Sequence, residues 1–210
     1  MNKQKLEKEL SELEERRDIL LSDVKQVFKD VRGNYFLRGS GARGDFPVHD
    51  LDITVYNHKD DEKIKLPNNI SNMEVEYGIV DVEDLYVFLT ENLRAYPSVF
   101  EVIPVTNISK EVENILRRSQ KYCRENSGAY NLVFRNFESE YAVRKYKEYG
   151  GYQYLKEMPG GKRNMQRIIW EMKVLYPEYQ DVVSTPIVLR EFLEKSLLPC
   201  MVVDLYLSQI

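Results

Sequence analysis

Residues 34–53 constrain this chain more than any other stretch. Asn34 to Leu37 reads as a strand that empties into Gly39-Ser40-Gly41, a small-residue turn able to begin a helix, and Asp50-Leu51-Asp52-Ile53 follows. Side chains alternate with period two along a strand, so Asp50 and Asp52 share one face while Leu51 and Ile53 share the other. Two carboxylates about 7 Å apart, facing a glycine turn with uncovered backbone N–H groups, suit a divalent cation that carries a polyphosphate. A polar hairpin with acids on its solvent face would show the same Asp-x-Asp spacing. The coupling to Gly-Ser and to Arg43 favours the phosphate-and-metal reading.

The pattern apolar–Gly–Ser, a gap of about ten residues, then Asp-x-Asp beside apolar neighbours resembles the signature of the DNA-polymerase-β-like nucleotidyltransferase superfamily. Ala42-Arg43-Gly44 is similar to the Ala-Arg-Gly of its small bacterial and phage members. A second stretch narrows the likeness. Val80-Asp81-Val82-Glu83-Asp84-Leu85-Tyr86-Val87-Phe88-Leu89, followed by Tyr96-Pro97-Ser98-Val99-Phe100-Glu101, resembles the predicted nucleotidyltransferases grouped as the RNA-repair-pathway polymerase-β family. Tyr96 stands where that family usually has Asn. The likeness covers residues 34–105 and thins beyond them, where Lys162-Arg163-Asn164-Met165-Gln166 has Gln166 in place of a common His.

This resemblance implies an α+β fold: a polymerase-β-like nucleotidyltransferase domain with a small mixed sheet and helices, followed by a helical domain. It implies metal-dependent transfer of a nucleoside monophosphate from an NTP, with ATP as the expected donor, to a hydroxyl. An RNA end such as a tRNA 3′ terminus is the expected acceptor. Modification of a protein or small molecule is an alternative, as is a nucleotide-binding module that has lost catalysis. In such chemistry two metals, Mg²⁺ or Mn²⁺, activate the nucleophile and neutralise the leaving pyrophosphate. Such hard ions take oxygen ligands. Asp50 and Asp52 would bind both ions, and Asp81, read as the end of the neighbouring strand, would complete the site. Gly39, Ser40 and Gly41 would hold the β- and γ-phosphates through backbone donors. Arg43 would pair with the triphosphate as a two-pronged donor, and Lys162 would reach the nucleotide from across the cleft. Glu83 and Asp84 are weaker candidates for the place of Asp81. Strand alternation is expected to turn Arg38 away and to put His49 on the face opposite Asp50, as a structural residue.

A chain of 210 residues can bury a core as one domain or two small ones. The expected division is 1–105, catalytic with an N-terminal helix, and 106–210, helical. Residues 1–105 carry 14 basic and 21 acidic side chains, a net of −7, and residues 106–210 carry 16 and 13, a net of +3. The second half could therefore face a polyanion. There Tyr130, Tyr141, Tyr146, Tyr149, Tyr152 and Tyr154 lie among Arg135, Arg144, Lys145, Lys147 and Lys156. That mixture can stack bases and hold phosphates, though tyrosines at helical spacing more often simply pack. No apolar run approaches the roughly 18 residues of a membrane span, and Cys123 and Cys200 are isolated, so no membrane partner and an intracellular, cytoplasmic site are expected.

Leu6, Leu10, Leu13, Leu20, Val24 and Val27 predict a helix over 3–29, interrupted by Arg17, that packs across the sheet. Strands are expected near 34–38, 49–56, 73–82 and 100–105, with 57–72 as a polar connector. Helices are expected over 85–93, 109–124, 136–149, 162–175 and 186–198.

Overall fold

The computed structural model describes residues 2–57, 66–87, 99–126, 128, 166, 168–170, 172–173, 176–179 and 181–208. Helix α1 (Lys3–Val27) opens on Asn2, whose side chain accepts the Gln4 amide at 3.0 Å and so satisfies one of the orphan donors of the first turn. Leu6, Leu10, Leu13, Arg17, Leu20 and Val24 form its buried stripe. Arg17 belongs to the stripe instead of breaking it. Its Nε donates to the Ala42 carbonyl at 2.6 Å, at the C-terminal end of α2 (Gly39–Arg43), where helix carbonyls lack backbone partners.

Strands β1 (Asn34–Arg38), β2 (Asp50–Asn57), β3 (Asn69–Ile70), β4 (Met73–Asp81) and β5 (Ile103–Pro104) form one mixed sheet in the order β3-β4-β2-β1-β5. β1 pairs antiparallel with β2 and β5, β2 pairs parallel with β4, and β3 pairs antiparallel with β4. The short β3 lies inside the expected connector. It turns back through Ser71 and Asn72, both at positive φ (50° and 65°), which matches the two-residue hairpin geometry in which both central residues are left-handed. The architecture is thus α+β, as expected.

Alternation divides the sheet into two unlike faces. On one, Tyr35, Leu37, Leu51, Ile53, Val55 and Val75 pack with Leu20, Val24 and Phe28 from the second half of α1 and its exit. On the other, Phe36 and Tyr56 join Val82, Leu85, Val99 and Phe100, together with Val112, Leu116 and Cys123 of α3 (Lys110–Glu125). Ser109 caps α3 by accepting the Val112 amide at 3.3 Å. The helix that follows residue 106 therefore rests on the sheet. The remainder of this second face, around the start of β2 and β4, is left open: Asp50, Glu74 and Glu76 are exposed and Asp52 is half-buried.

A third apolar cluster joins Leu6, Leu10 and Leu13 of α1 to Ile169 and to α4 (Thr185–Glu194) and α5 (Cys200–Leu207) through Val188, Leu189, Phe192, Leu193, Val203 and Tyr206. Thus the first half of α1 packs on the C-terminal helices and only its second half packs across the sheet. Helix α5 is not among the helices expected from the sequence. Pro199 is its N-cap. No helix among the described residues is long and apolar enough to cross a membrane.

Candidate functional site

Strand β1 delivers the chain into α2 at a point where two backbone positions are fixed by close contact. Gly39 has φ +67°, and a Cβ there would lie 2.1 Å from Oδ2 of Asp52. The Asp52 carboxylate thus rests directly on the Gly39 backbone, which only glycine allows. Gly41 is buried, and a Cβ there would meet Leu51 at 3.2 Å and Leu37 at 3.4 Å. Half-buried Ser40 uses its carbonyl to accept the amides of Gly44 at 2.9 Å and Asp45 at 3.0 Å, which closes the turn. Gly39, Ser40, Asp50 and Asp52 therefore lie at one end of the sheet, while Gly41 is packed on the opposite, apolar face against Leu51 and Leu37.

Asp81 does not join them. Parallel pairing sets Asp50 beside Glu74, Asp52 beside Glu76 and Asn57 beside Asp81. Asp81 is seven positions beyond Glu74 on β4, roughly 23 Å along the strand at about 3.3 Å per residue. Asp81 at the end of β4 would stand beside the start of β2 only if the two strands ran antiparallel. Parallel strands instead bring their starts together. At its own end of the sheet, Asp81 accepts the Glu83 amide at 3.0 Å in the turn towards Leu85. Glu83 and Asp84 follow it there.

The residues beside Asp50 and Asp52 are Glu74 and Glu76, which the sequence reading passed over. Their signal was present: Glu74-Val75-Glu76 repeats the charged–apolar–charged alternation of Asp50-Leu51-Asp52, with Val75 buried beside Leu51. Four carboxylates from two adjacent strand starts thus share one open face, with Cα rows about 4.8 Å apart. All four offer hard oxygen donors of the type Mg²⁺ or Mn²⁺ takes. Among the described residues no three acidic, His or Cys side chains are gathered closely enough to hold an ion.

Arg38 needs a second correction. It pairs with Asp52 in the β1–β2 ladder, so it shares the acid-bearing face instead of turning away. Its Nη2 lies 3.3 Å from the place a Cβ would take on Gly78, so the side chain crosses β2 to reach β4. His49, immediately before β2, is exposed.

Arg43 is the third correction. The sequence reading gave it to the triphosphate, yet it is buried and bound on two sides, with Nε 2.7 Å from Asp45 and Nη1 3.2 Å from Glu101. Burial opposes its charge, but Asp45 and Glu101 overcome that and hold its pKa above the ordinary arginine value. Lys162 and the Tyr, Arg and Lys residues between 130 and 156 lie outside the described residues.

No protein-family model matches the chain, and no curated protein matches it. What the site can do is therefore argued from its own geometry.

Proposed function

We propose that the chain is a metal-dependent nucleotidyltransferase of the polymerase-β-like type, transferring a nucleoside monophosphate from an NTP to a hydroxyl, with an RNA end as acceptor. The observation that supports this reading is the register at the strand starts: Asp52 seated on Gly39, Asp50 on the same face, and Glu74 and Glu76 paired beside them. This is an exposed acidic stretch of sheet beside a tight glycine turn. It is suited to an ion that carries phosphate.

Asp50, Asp52 and Glu76 would hold the metal, which supplies polarisation of the phosphate oxygens and charge neutralisation when bound. In the reaction the acceptor oxygen forms a bond to the α-phosphorus while the bond to the pyrophosphate oxygen breaks. The hydroxyl proton passes to a carboxylate of this face or to water, and pyrophosphate leaves. The Gly39-Ser40 turn would orient the phosphate chain, and its rigidity follows from the contact with Asp52. Positioning and charge stabilisation are the main contributions a protein makes to such transfers.

The test is incubation with labelled NTPs, Mg²⁺ or Mn²⁺ and an RNA pool, with the doubly substituted Asp50→Ala/Asp52→Ala protein as control. Label in RNA that vanishes in the control supports the reading. Label in protein or in a small molecule would move the acceptor to another class. Nucleotide binding without turnover would make the chain a silent binding module, and full activity of the control would reject the assignment.

A further inference from the structure

We propose that Arg38 is an oxyanion subsite, a guanidinium that grips the phosphate chain of the nucleotide above the middle of the sheet. The inference rests on the nucleotidyltransferase reading and adds a residue that the sequence pattern had set aside.

Three observations lead to it. The ladder pairs Arg38 with Asp52, so the arginine projects from the face that carries Asp50, Asp52, Glu74 and Glu76. Instead of folding onto Asp52, it extends over buried Thr54 to Gly78, which pairs with Thr54 one inward-facing step beyond Asp52 and Glu76. Any side chain at Gly78 would press on Nη2 at 3.3 Å, so the glycine leaves the lane the guanidinium occupies. Finally, the Nε atom is buried and has no hydrogen-bond partner among the described residues. Tyr56, the next residue inward on β2 from Thr54 on this face, registers the same cation: burial pushes its hydroxyl up to about 12, against the opposing pull of Arg38.

A cation set among four carboxylates would ordinarily pair with one of them. Among the described residues Arg38 makes no such ion pair. Arg38 and the exposed acids Asp50, Glu74 and Glu76 thus share one face of the sheet without an ion pair between them. That arrangement fits a ligand that itself carries both signs, a cation for the carboxylates and phosphate oxygens for the guanidinium. Arginine is suited to the second part, since its planar fork can meet two phosphate oxygens at once. The ligand class is therefore the polyphosphate of a nucleoside triphosphate, and the base has no part in this contact.

The test measures binding in an Asp50→Asn/Asp52→Asn protein, which cannot turn over and has less acidic repulsion. ATP, inorganic tripolyphosphate and adenosine are titrated calorimetrically into this parent and into the same protein carrying Arg38→Gln or Arg38→Lys. ATP and tripolyphosphate should bind the parent, and Arg38→Gln should weaken both by about tenfold or more. Arg38→Lys, which keeps the charge and loses the fork, should fall between, while adenosine binding stays the same across the three. Circular dichroism and the thermal midpoint separate this loss from unfolding, and the lysine variant provides the readout if the glutamine variant does not fold. Tripolyphosphate binding within twofold of the parent in the folded variants would overturn the subsite, as would a parent that does not bind tripolyphosphate. If no acceptor is ever labelled yet the Arg38 loss is seen, nucleotidyl transfer falls and the phosphate subsite stands. If transfer is seen and Arg38 is silent, the subsite alone falls.

Discussion

Nε of Arg43 lies 2.7 Å from Oδ2 of Asp45, and that carboxylate is wholly enclosed by protein. The pair is the centre of a buried polar network. Asp45 also accepts from Gln166 at 2.7 Å and from the Tyr206 hydroxyl at 3.0 Å. Glu101 accepts from Arg43 at 3.2 Å, Trp170 at 2.7 Å and Lys173 at 3.1 Å. Two cations and two anions balance, and the neutral donors fill remaining lone pairs, which is what makes buried charge tolerable. The network ties the end of α2 to residues far along the chain.

Arg43→Ala should therefore unfold more readily than the parent. Removing the guanidinium leaves two enclosed carboxylates partly uncompensated, a loss of about 3–5 kcal/mol for one partner of a buried pair. Urea unfolding measures it. A variant as stable as the parent, with only nucleotide affinity reduced, would return Arg43 to the triphosphate.

Glu76→Gln should lower transfer on the order of 100-fold, the loss typical of removing one charge-stabilising group. Asp81→Asn should leave the rate within a few-fold. Steady-state rates of the two variants at saturating Mg²⁺ decide between the two ends of β4. The reverse ranking would show that the acidic centre is assembled elsewhere.

Gly39→Ala should damage both fold and activity. The new methyl would sit 2.1 Å from the Asp52 carboxylate, on a backbone at φ +67° that non-glycine residues adopt at a cost. Strain of this kind amounts to about 1–3 kcal/mol, readable as a lowered thermal midpoint. A midpoint unchanged from the parent would mean that Asp52 does not rest on this turn.

At high pH two tyrosines should weaken the fold. Burial raises the Tyr56 hydroxyl to about 12, and burial followed by the neighbouring Asp45 raises Tyr206 well above its ordinary value. A raised folded-state pKa means the native protein holds the proton more tightly than the unfolded chain. The stabilisation is thus complete below the unfolded value of about 10 and is lost as pH climbs through the folded values. Denaturant midpoints taken from pH 9 upward should decline beyond pH 10, by up to about 1.4 kcal/mol per pH unit for each tyrosine. Tyr206→Phe should reduce that slope, and a flat profile would contradict the buried placement of both rings.

Local signals in the sequence were sufficient for α1, β1, β2, β4 and α3, because their apolar periods and caps are determined within a few residues. Leu6 to Val24 at helical spacing and Ser109 before Lys110 are of this kind. The contact of Asp52 with the Gly39 turn was likewise readable, since it spans only 13 positions of a hairpin-like segment. What escaped depends on pairing between distant strands. Whether β4 runs with β2 or against it decides between Glu76 and Asp81, and the alternation of Glu74-Val75-Glu76 does not by itself fix that direction. Arg38 was misjudged because its side depends on its register with Asp52. Arg43 looked like a surface loop cation because its acidic partner Glu101 is 58 positions away, and Arg17 looked like a break in a stripe because its acceptor is the carbonyl of Ala42.

Helix α1 has a consequence for how the molecule is made. Its opening turns at Leu6, Leu10 and Leu13 are shielded from water, among the described residues, by Ile169 and Tyr179 and mainly by α4 and α5, residues 185–207. Because synthesis runs from the amino end, α1 waits, half wet, for residues 185–207 to arrive. The sheet can condense on Leu20, Val24 and Phe28 well before then. The packing of α1 on α4 and α5 therefore forms after its packing on the sheet.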